Sequence, residues 1–328
     1  RHLGWMGFIA VVISLFIVCY YCVLGGWTLK FTVNSFSGNT GIIETFSVNA
    51  AKVIAFTAIF VLITLLIIAM GVEKGIERMA KILMPILFVL LVGTVIYSLT
   101  LGEGVREGLE FYLKPDFSKL DARAVLLAMG QAFYSLSLGM GIMITYGSYT
   151  GKEISLTKSA AIVCTFDTIV ALLAGLAIFP AVAHFNPELL SGSKGIVLMF
   201  DILPQVFDSM GFIGKFVSFF FFAMVAIAAI TSLISLYEVC TQFIIQKFRI
   251  KRKISAIIVG VICFAVSIPI GISLGRVAIA GGSSPAIFGM DWLSFFDEVT
   301  NTVLMPVCAF FGCLVVGWLI KPKRAIEE

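Results

Sequence analysis

Residues 130–149 read GQAFYSLSLGMGIMITYGSY, an apolar stretch interrupted near mid-membrane by Ser135, Ser137, Gly139 and Gly141. A glycine inside a helix costs about 1 kcal/mol relative to alanine, and serines offer the backbone alternative hydrogen-bond partners. Together they fit a helix that unwinds half-way across a bilayer. Unwound backbone at that depth is tolerated only where it is buried in protein or lines a cavity, and transporters use such broken helices to hold substrate and ions near the midplane. The same spacing equally fits a face of small residues for close helix packing.

The surrounding composition supports a membrane setting. Of 328 residues, 60% are hydrophobic and 13% charged, and mean hydropathy is +1.07; a soluble domain has about half apolar and a quarter charged residues. The apolar residues fall in runs long enough to cross a core of about 30 Å, which takes roughly 20 helical residues. Thirty phenylalanines suit lipid-facing and helix-packing surfaces better than a soluble core. A soluble enzyme is excluded. The pattern predicts an all-α integral membrane protein, one transmembrane domain over 1–328, with eight spans at about 5–27, 53–71, 79–100, 123–147, 157–180, 212–244, 254–273 and 291–320. Trp5 and Trp27, near the ends of the first span, read as interfacial aromatics. Segment 101–114 reads as a short surface helix. The connection 181–211 carries an apolar run, Ile196 to Phe200, too short to span, and is expected to dip back into a vestibule.

Charge placement orients the chain. Fourteen of the 23 Lys and Arg residues lie at Arg1 and in short loops on one side: Lys74, Arg78 and Lys81; Lys152 and Lys158; Lys247 to Lys253; Lys321 to Arg324. The positive-inside rule puts these loops and both chain ends in the cytoplasm, and such scattered loop charge is a poor nucleic-acid surface. The opposite loops are richer in acid, with Glu103, Glu107, Glu110, Asp116 and Asp121 in one of them. All seven cysteines fall inside apolar runs, so the Cys19–Cys22 C-x-x-C reads as small packing residues and not as a redox pair. His2 and His184 are the only histidines, and no nucleophile–base constellation points to a membrane enzyme. The first span follows Arg1 directly, leaving no room for a signal peptide, and the start reads as that of a chain whose beginning is missing.

Asp167 lies within CTFDTIVALLAGLAIFP (164–180). A carboxylate near the centre of a span costs at least about 2.5 kcal/mol and must face a partner or a cavity. With no Lys or Arg at mid-span, a bound cation is a more economical partner than polar neighbours.

These segments resemble the neurotransmitter:sodium symporter family, in particular its bacterial amino-acid transporters. Residues 130–149 are similar to that family's broken sixth helix, SLFIVCYYCVLGGW (14–27) to its third, Asp167 to Phe179 to its seventh, AAITSLISLYE (228–238) to its eighth, and FDILPQVFDSMG (200–211) to its fourth extracellular loop. The match runs in order from third to tenth helix; the first two and the last two are not among these residues. The resemblance implies a truncated leucine-transporter-like fold of five-plus-five inverted repeats. It further implies a sodium-coupled symporter of a neutral, apolar amino acid in a prokaryotic cytoplasmic membrane, with Na⁺ as coupling ion and no organic cofactor.

Carried over by resemblance, a first sodium site takes Ser135 and Asp167, and a second the Ala228 carbonyl with the Thr231 and Ser232 hydroxyls. Without the resemblance, Thr231 and Ser232 read as hydroxyls bonded back to their own helix. The substrate positions are Ile17, Tyr21, Tyr134, Ser137, Met140, Ser232 and Leu236, with Tyr21 expected to hold the substrate carboxylate and Tyr134 to close the pocket from outside. Asp297 matches the outer gate, and Tyr149 and Glu238 the inner gate region, where Gln246 replaces an acid. Asp167 stands where relatives commonly carry Asn, and Ala171 where chloride-dependent relatives carry Ser. A fixed carboxylate at Asp167 is therefore expected to make transport chloride-independent. Two alternatives remain: a proton-coupled permease of the same architecture, and a non-transporting truncated subunit.

Overall fold

The computed structural model describes residues 4–38, 41–70, 73–148, 151, 154–190, 195–279 and 287–320, and the statements below concern these. They are helical, with no strand beyond an isolated bridge between Ile287 and Met290. The main helices are α1 (Gly4–Asn34), α2 (Ala50–Met70), α3 (Glu73–Ser98), the short surface helix α4 (Val105–Leu113), α5 (Ala122–Ser135), α6 (Ile142–Gly147), α7 (Leu156–Phe185), α8 (Leu203–Ser209), α9 (Gly211–Phe248), α10 (Arg252–Ile279) and α11 (292–320). Among the described residues, α1, α2, α3, α7, α9 and α10 are long and apolar enough to cross a membrane. The remaining two apolar runs are interrupted. One is split into α5 and α6, and α11 switches to π-winding over Glu298–Leu304 and again over Val315–Ile320.

The centre of the molecule is α1, which packs against α9, α2 and α10. It is apolar all round, as a helix enclosed by others must be, and Ile13, Val18, Cys22, Val23, Trp27 and Phe31 are fully buried. This corrects the reading of Trp27 as an interfacial residue. The helix continues to Asn34, so Trp27 lies a full two turns from its end. Its ring packs edge-on against Phe46 and Phe200, at 5.7 and 5.5 Å between centroids. Trp5, by contrast, is exposed. Phe200 belongs to the 195–209 segment that turns back over the outer end of α1, where it also meets Phe31 and Phe222.

Close backbone approach holds the centre together, as expected where small residues set helix spacing in lipid. A Cβ at Gly26 would lie 2.7 Å from the Thr57 backbone nitrogen of α2. The buried Ser267 hydroxyl of α10 donates to the Cys19 carbonyl at 2.6 Å. Replacing Gly26 by Val should force α1 and α2 apart and destabilise the protein by about 1–3 kcal/mol, read as a lower melting temperature of the detergent-solubilised protein.

Candidate functional site

The helix α5 stops at Ser135 because the backbone leaves helical conformation. Ser137, Gly139 and Gly141 have φ of 56°, 76° and 81°. Glycine takes this left-handed region without penalty, whereas Ser137 gives up about 1–2 kcal/mol there. Of the two alternatives the spacing left open, the structure therefore takes the broken helix. The break is held by neighbours. The buried Ser14 hydroxyl of α1 donates to the Met140 carbonyl at 2.6 Å, and a Cβ at Gly139 would stand 2.8 Å from the Met305 carbonyl oxygen of α11.

Beside the break lies a cavity of about 230 Å³, lined by Ile17 and Tyr21 of α1, by Tyr134, Ser135, Ser137, Met140 and Ile142 around the break, and by Ser232, Ser235 and Leu236 of α9. All seven residues picked from the sequence for substrate face this one space. Ile142 and Ser235 were missed. Drug-sized ligands occupy about 300–1,000 Å³, so this cavity suits a smaller metabolite. Its walls carry hydroxyls at Tyr21, Tyr134 and the serines, and apolar surface at Ile17, Met140, Ile142 and Leu236, with no Lys, Arg, Asp or Glu. Tyr21 and Ser232 share this lining.

Each of the two sets of oxygen atoms expected to hold cations reaches the cavity through one residue, Ser135 in the first and Ser232 in the second. The Ser135 hydroxyl donates to Asp167 Oδ1 of α7 at 2.5 Å, so these two residues, 32 apart in sequence, do meet. On α9 the Thr231 hydroxyl donates to the Ala228 carbonyl at 2.8 Å. That is the back-bonded arrangement, and it also places both oxygens side by side. Among the described residues no cluster of three His, Cys, Asp or Glu side chains is suited to a metal ion; any cation here would rest on hydroxyls, carbonyls and the single carboxylate.

Above the cavity is an outer vestibule of about 1010 Å³, which shares Tyr21 and Tyr134 with it and is walled by Ile196, Met199 and Phe200 of the returning loop. Asp297 lines this vestibule. Its Oδ1 accepts from the Tyr20 hydroxyl at 3.3 Å and from Asn301 Nδ2 at 2.6 Å. On the returning loop Asp201 accepts from Gln205 at 3.2 Å. Burial holds its carboxyl above the usual range, an effect that nearby Glu44 reinforces and the Gln205 bond opposes.

A separate inner cavity of about 300 Å³ is lined by Gly7, Phe8, Gly141, Gln242 and Gln246, among others. Glu238 lies nearby, held by Arg252 at 3.0 Å and Gln242 at 2.9 Å. The inner acid thus has a partner on α10 that the sequence reading did not anticipate. Tyr149 lies outside the described residues.

Comparison with known proteins agrees with this geometry. The sequence pattern of the sodium:neurotransmitter symporter family matches residues 42–328. The chain belongs to that family. An "uncharacterized sodium-dependent transporter" of Haemophilus influenzae is 36% identical over 344 residues, covering 100% of this chain and 72% of that protein. The sodium-dependent transporter YhdH of Bacillus subtilis is 35% identical over 339 residues, covering 99% and 71%. The crystal structure of MhsT in complex with L-phenylalanine superposes with a TM-score of 0.91 at 37% identity, covering 100% of this chain and 74% of that one. The chain shares MhsT's leucine-transporter-like fold, and its relatives are membrane transporters, not enzymes.

Two residues escaped the sequence reading. The partner of Ser14 lies 126 residues away, and a lone Ser in an apolar run carries no local signal of it; Asn301 bonds Asp297 four residues back, a helical spacing that the reading passed over. The break itself is directly testable. Gly139→Ala adds a Cβ against the Met305 carbonyl at a positive φ, and should reduce ligand binding by the purified protein roughly 5–150-fold, given a strain of about 1–3 kcal/mol. Isothermal titration would show it.

Proposed function

We propose that the protein is a sodium-coupled symporter of a neutral, apolar amino acid, working by alternating access in a prokaryotic cytoplasmic membrane. Its single transmembrane domain crosses eight times over residues 1–328. The observation that carries this reading is the convergence of α1, the α5–α6 break and α9 on one small cavity with hydroxyl and apolar walls. A zwitterion's carboxylate is served by the Tyr21 hydroxyl and by backbone freed at the break. Ile17, Met140 and Leu236 accept an apolar side chain, Met adapting its shape to more than one. That MhsT was crystallised with L-phenylalanine supports the same class of substrate.

Sodium is a hard cation that prefers oxygen ligands, as calcium and magnesium do. Ser135 and Asp167 supply one such set, and Ala228, Thr231 and Ser232 the other. The Ser135 and Thr231 hydroxyls donate their single protons to Asp167 and Ala228 and keep lone pairs to offer a cation. Asp167 carries the negative charge that a chloride ion would otherwise bring, so transport proceeds without chloride. The outer gate is built on Tyr134 and Asp297. Glu238, already paired with Arg252, serves the inner side together with Tyr149.

The test is uptake of radiolabelled neutral amino acids by the full-length protein in proteoliposomes. Uptake should require Na⁺ at fixed pH, persist when gluconate replaces chloride, and fall at least about tenfold in Asp167→Ala, the scale of losing a charged hydrogen-bonding partner. Uptake driven by a proton gradient without Na⁺ would favour the proton-coupled alternative, and no uptake under any gradient the non-transporting one.

A further inference from the structure

The π-wound stretch of α11 holds a side chain that neither the cavity nor the cation positions use. Asn301 donates through Nδ2 to Asp297 Oδ1 at 2.6 Å. A carboxylate only accepts, so the amide must present its NH₂ to it, which fixes Asn301 Oδ1 on the other side. That oxygen is buried and has no hydrogen-bond partner among the described residues. An unsatisfied buried acceptor is costly, and one in a native fold calls for an explanation. Both bonds to Asp297 fall on Oδ1, the second coming from Tyr20 at 3.3 Å. Neither uses Oδ2.

The backbone beneath Asn301 is pressed by the broken helix. A Cβ at Gly130 of α5 would lie 2.3 Å from the Asn301 carbonyl oxygen. Arg123, at the start of α5, reaches Glu298 at 3.8 Å, and Gly139, within the break, sits on the Met305 carbonyl that ends the π-wound stretch. The Thr300 hydroxyl bonds the Phe296 and Asp297 carbonyls at 2.8 and 3.2 Å. It thereby satisfies acceptors in the turn that brings Asp297 and Asn301 to the same wall of the vestibule. Insertions of this kind into α-helices recur at functional sites.

We propose that Asn301 is a positioning residue of the outer gate: it locks the Asp297 carboxylate through Oδ1, keeps Oδ2 for a donor from across the vestibule, and ties that orientation to α5 through the Gly130 contact. This rests on reading Asp297 as the outer gate. A side chain that acts only through Asp297 has no effect once Asp297 is neutralised, so the deciding measurement is a double-mutant cycle. Uptake KM and maximal rate are measured for full-length protein carrying Asp297→Asn, Asn301→Leu, and both.

Asn301→Leu should raise KM about tenfold, the scale of a hydrogen bond to a charged group, with maximal rate changed less than about twofold. The double variant should be no worse than Asp297→Asn alone. Asn301→Gln, which keeps the amide, should recover part of the loss. Asn301→Ser, smaller and still polar, should reproduce the KM effect if Asn301→Leu fails to reach the membrane. Additive losses in the double variant, or wild-type KM in Asn301→Leu and Asn301→Ser while Asp297→Asn is impaired, would overturn the positioning role. Wild-type uptake in Asp297→Asn itself would instead overturn the gate reading on which it rests.

Discussion

Backbone that leaves a helix inside a bilayer has to find its hydrogen-bond partners in the protein, because lipid offers none. Residues 136–141 impose that demand on the whole molecule. Part is met locally, where Leu138 N donates to Phe133 O at 2.8 Å and Ser137 N to Tyr134 O at 3.1 Å. The rest comes from other helices, as with the Ser14 hydroxyl on Met140. Each orphaned group would cost about 1–3 kcal/mol, so the break exists only because α1, α9 and α11 close around it. This is why α1 is buried through its middle, from Ala10 to Phe31, and apolar on every side there, and why Gly26 draws α2 against it.

Much of the fold could be read from hydropathy because membrane helices satisfy their own backbone and need only length and apolarity to be recognised. The break was visible as an alternative, since Gly139 and Gly141 carry an intrinsic preference for the conformation they adopt; Ser137 does not, and its positive φ is imposed by the packing. Trp27 shows the limit of the interfacial-aromatic rule. The rule reads depth along the membrane normal, whereas the fate of a side chain also depends on which neighbour covers it. Here the cover is Phe200, 173 positions later in the chain.

The candidate site was legible where the residues resemble a known family position by position, and obscure where a single bond decides. Ile17 and Tyr21 are one turn apart on α1, as are Ser232 and Leu236 on α9, so each pair shares a face and all four line one cavity. The partnership of Glu238 with Arg252 was hidden because Arg252 belonged, in the sequence, to a run of loop charges with an evident topological role. Its 3.0 Å bond to a nearly buried carboxylate gives it a second one. The same applies to Thr231. Its spacing alone favoured a bond back to its own helix, that bond is present, and it sets two oxygen atoms next to each other.

Tyr134, Ser135, Ser137 and Met140 follow one another along a single stretch of chain, and under the proposed symport reading they serve in turn the outer gate, a cation position and the substrate cavity. Coupling between two ligands requires a shared element with more than one arrangement that both ligands bias. A regular helix would point these four side chains around its circumference and move them as one rod. An unwound segment lets a cation pulling on the Ser135 hydroxyl and a substrate filling the space beside Ser137 act on the same few torsions. Its far side rests on α11 at Met305 through Gly139, and α5 just before it meets Asn301 through Gly130, glycines that leave no side chain between the backbones. A change in those torsions therefore reaches the π-wound stretch, and Asp297 with it, by direct contact. The cost of the break and the coupling of ion, substrate and gate have one physical origin.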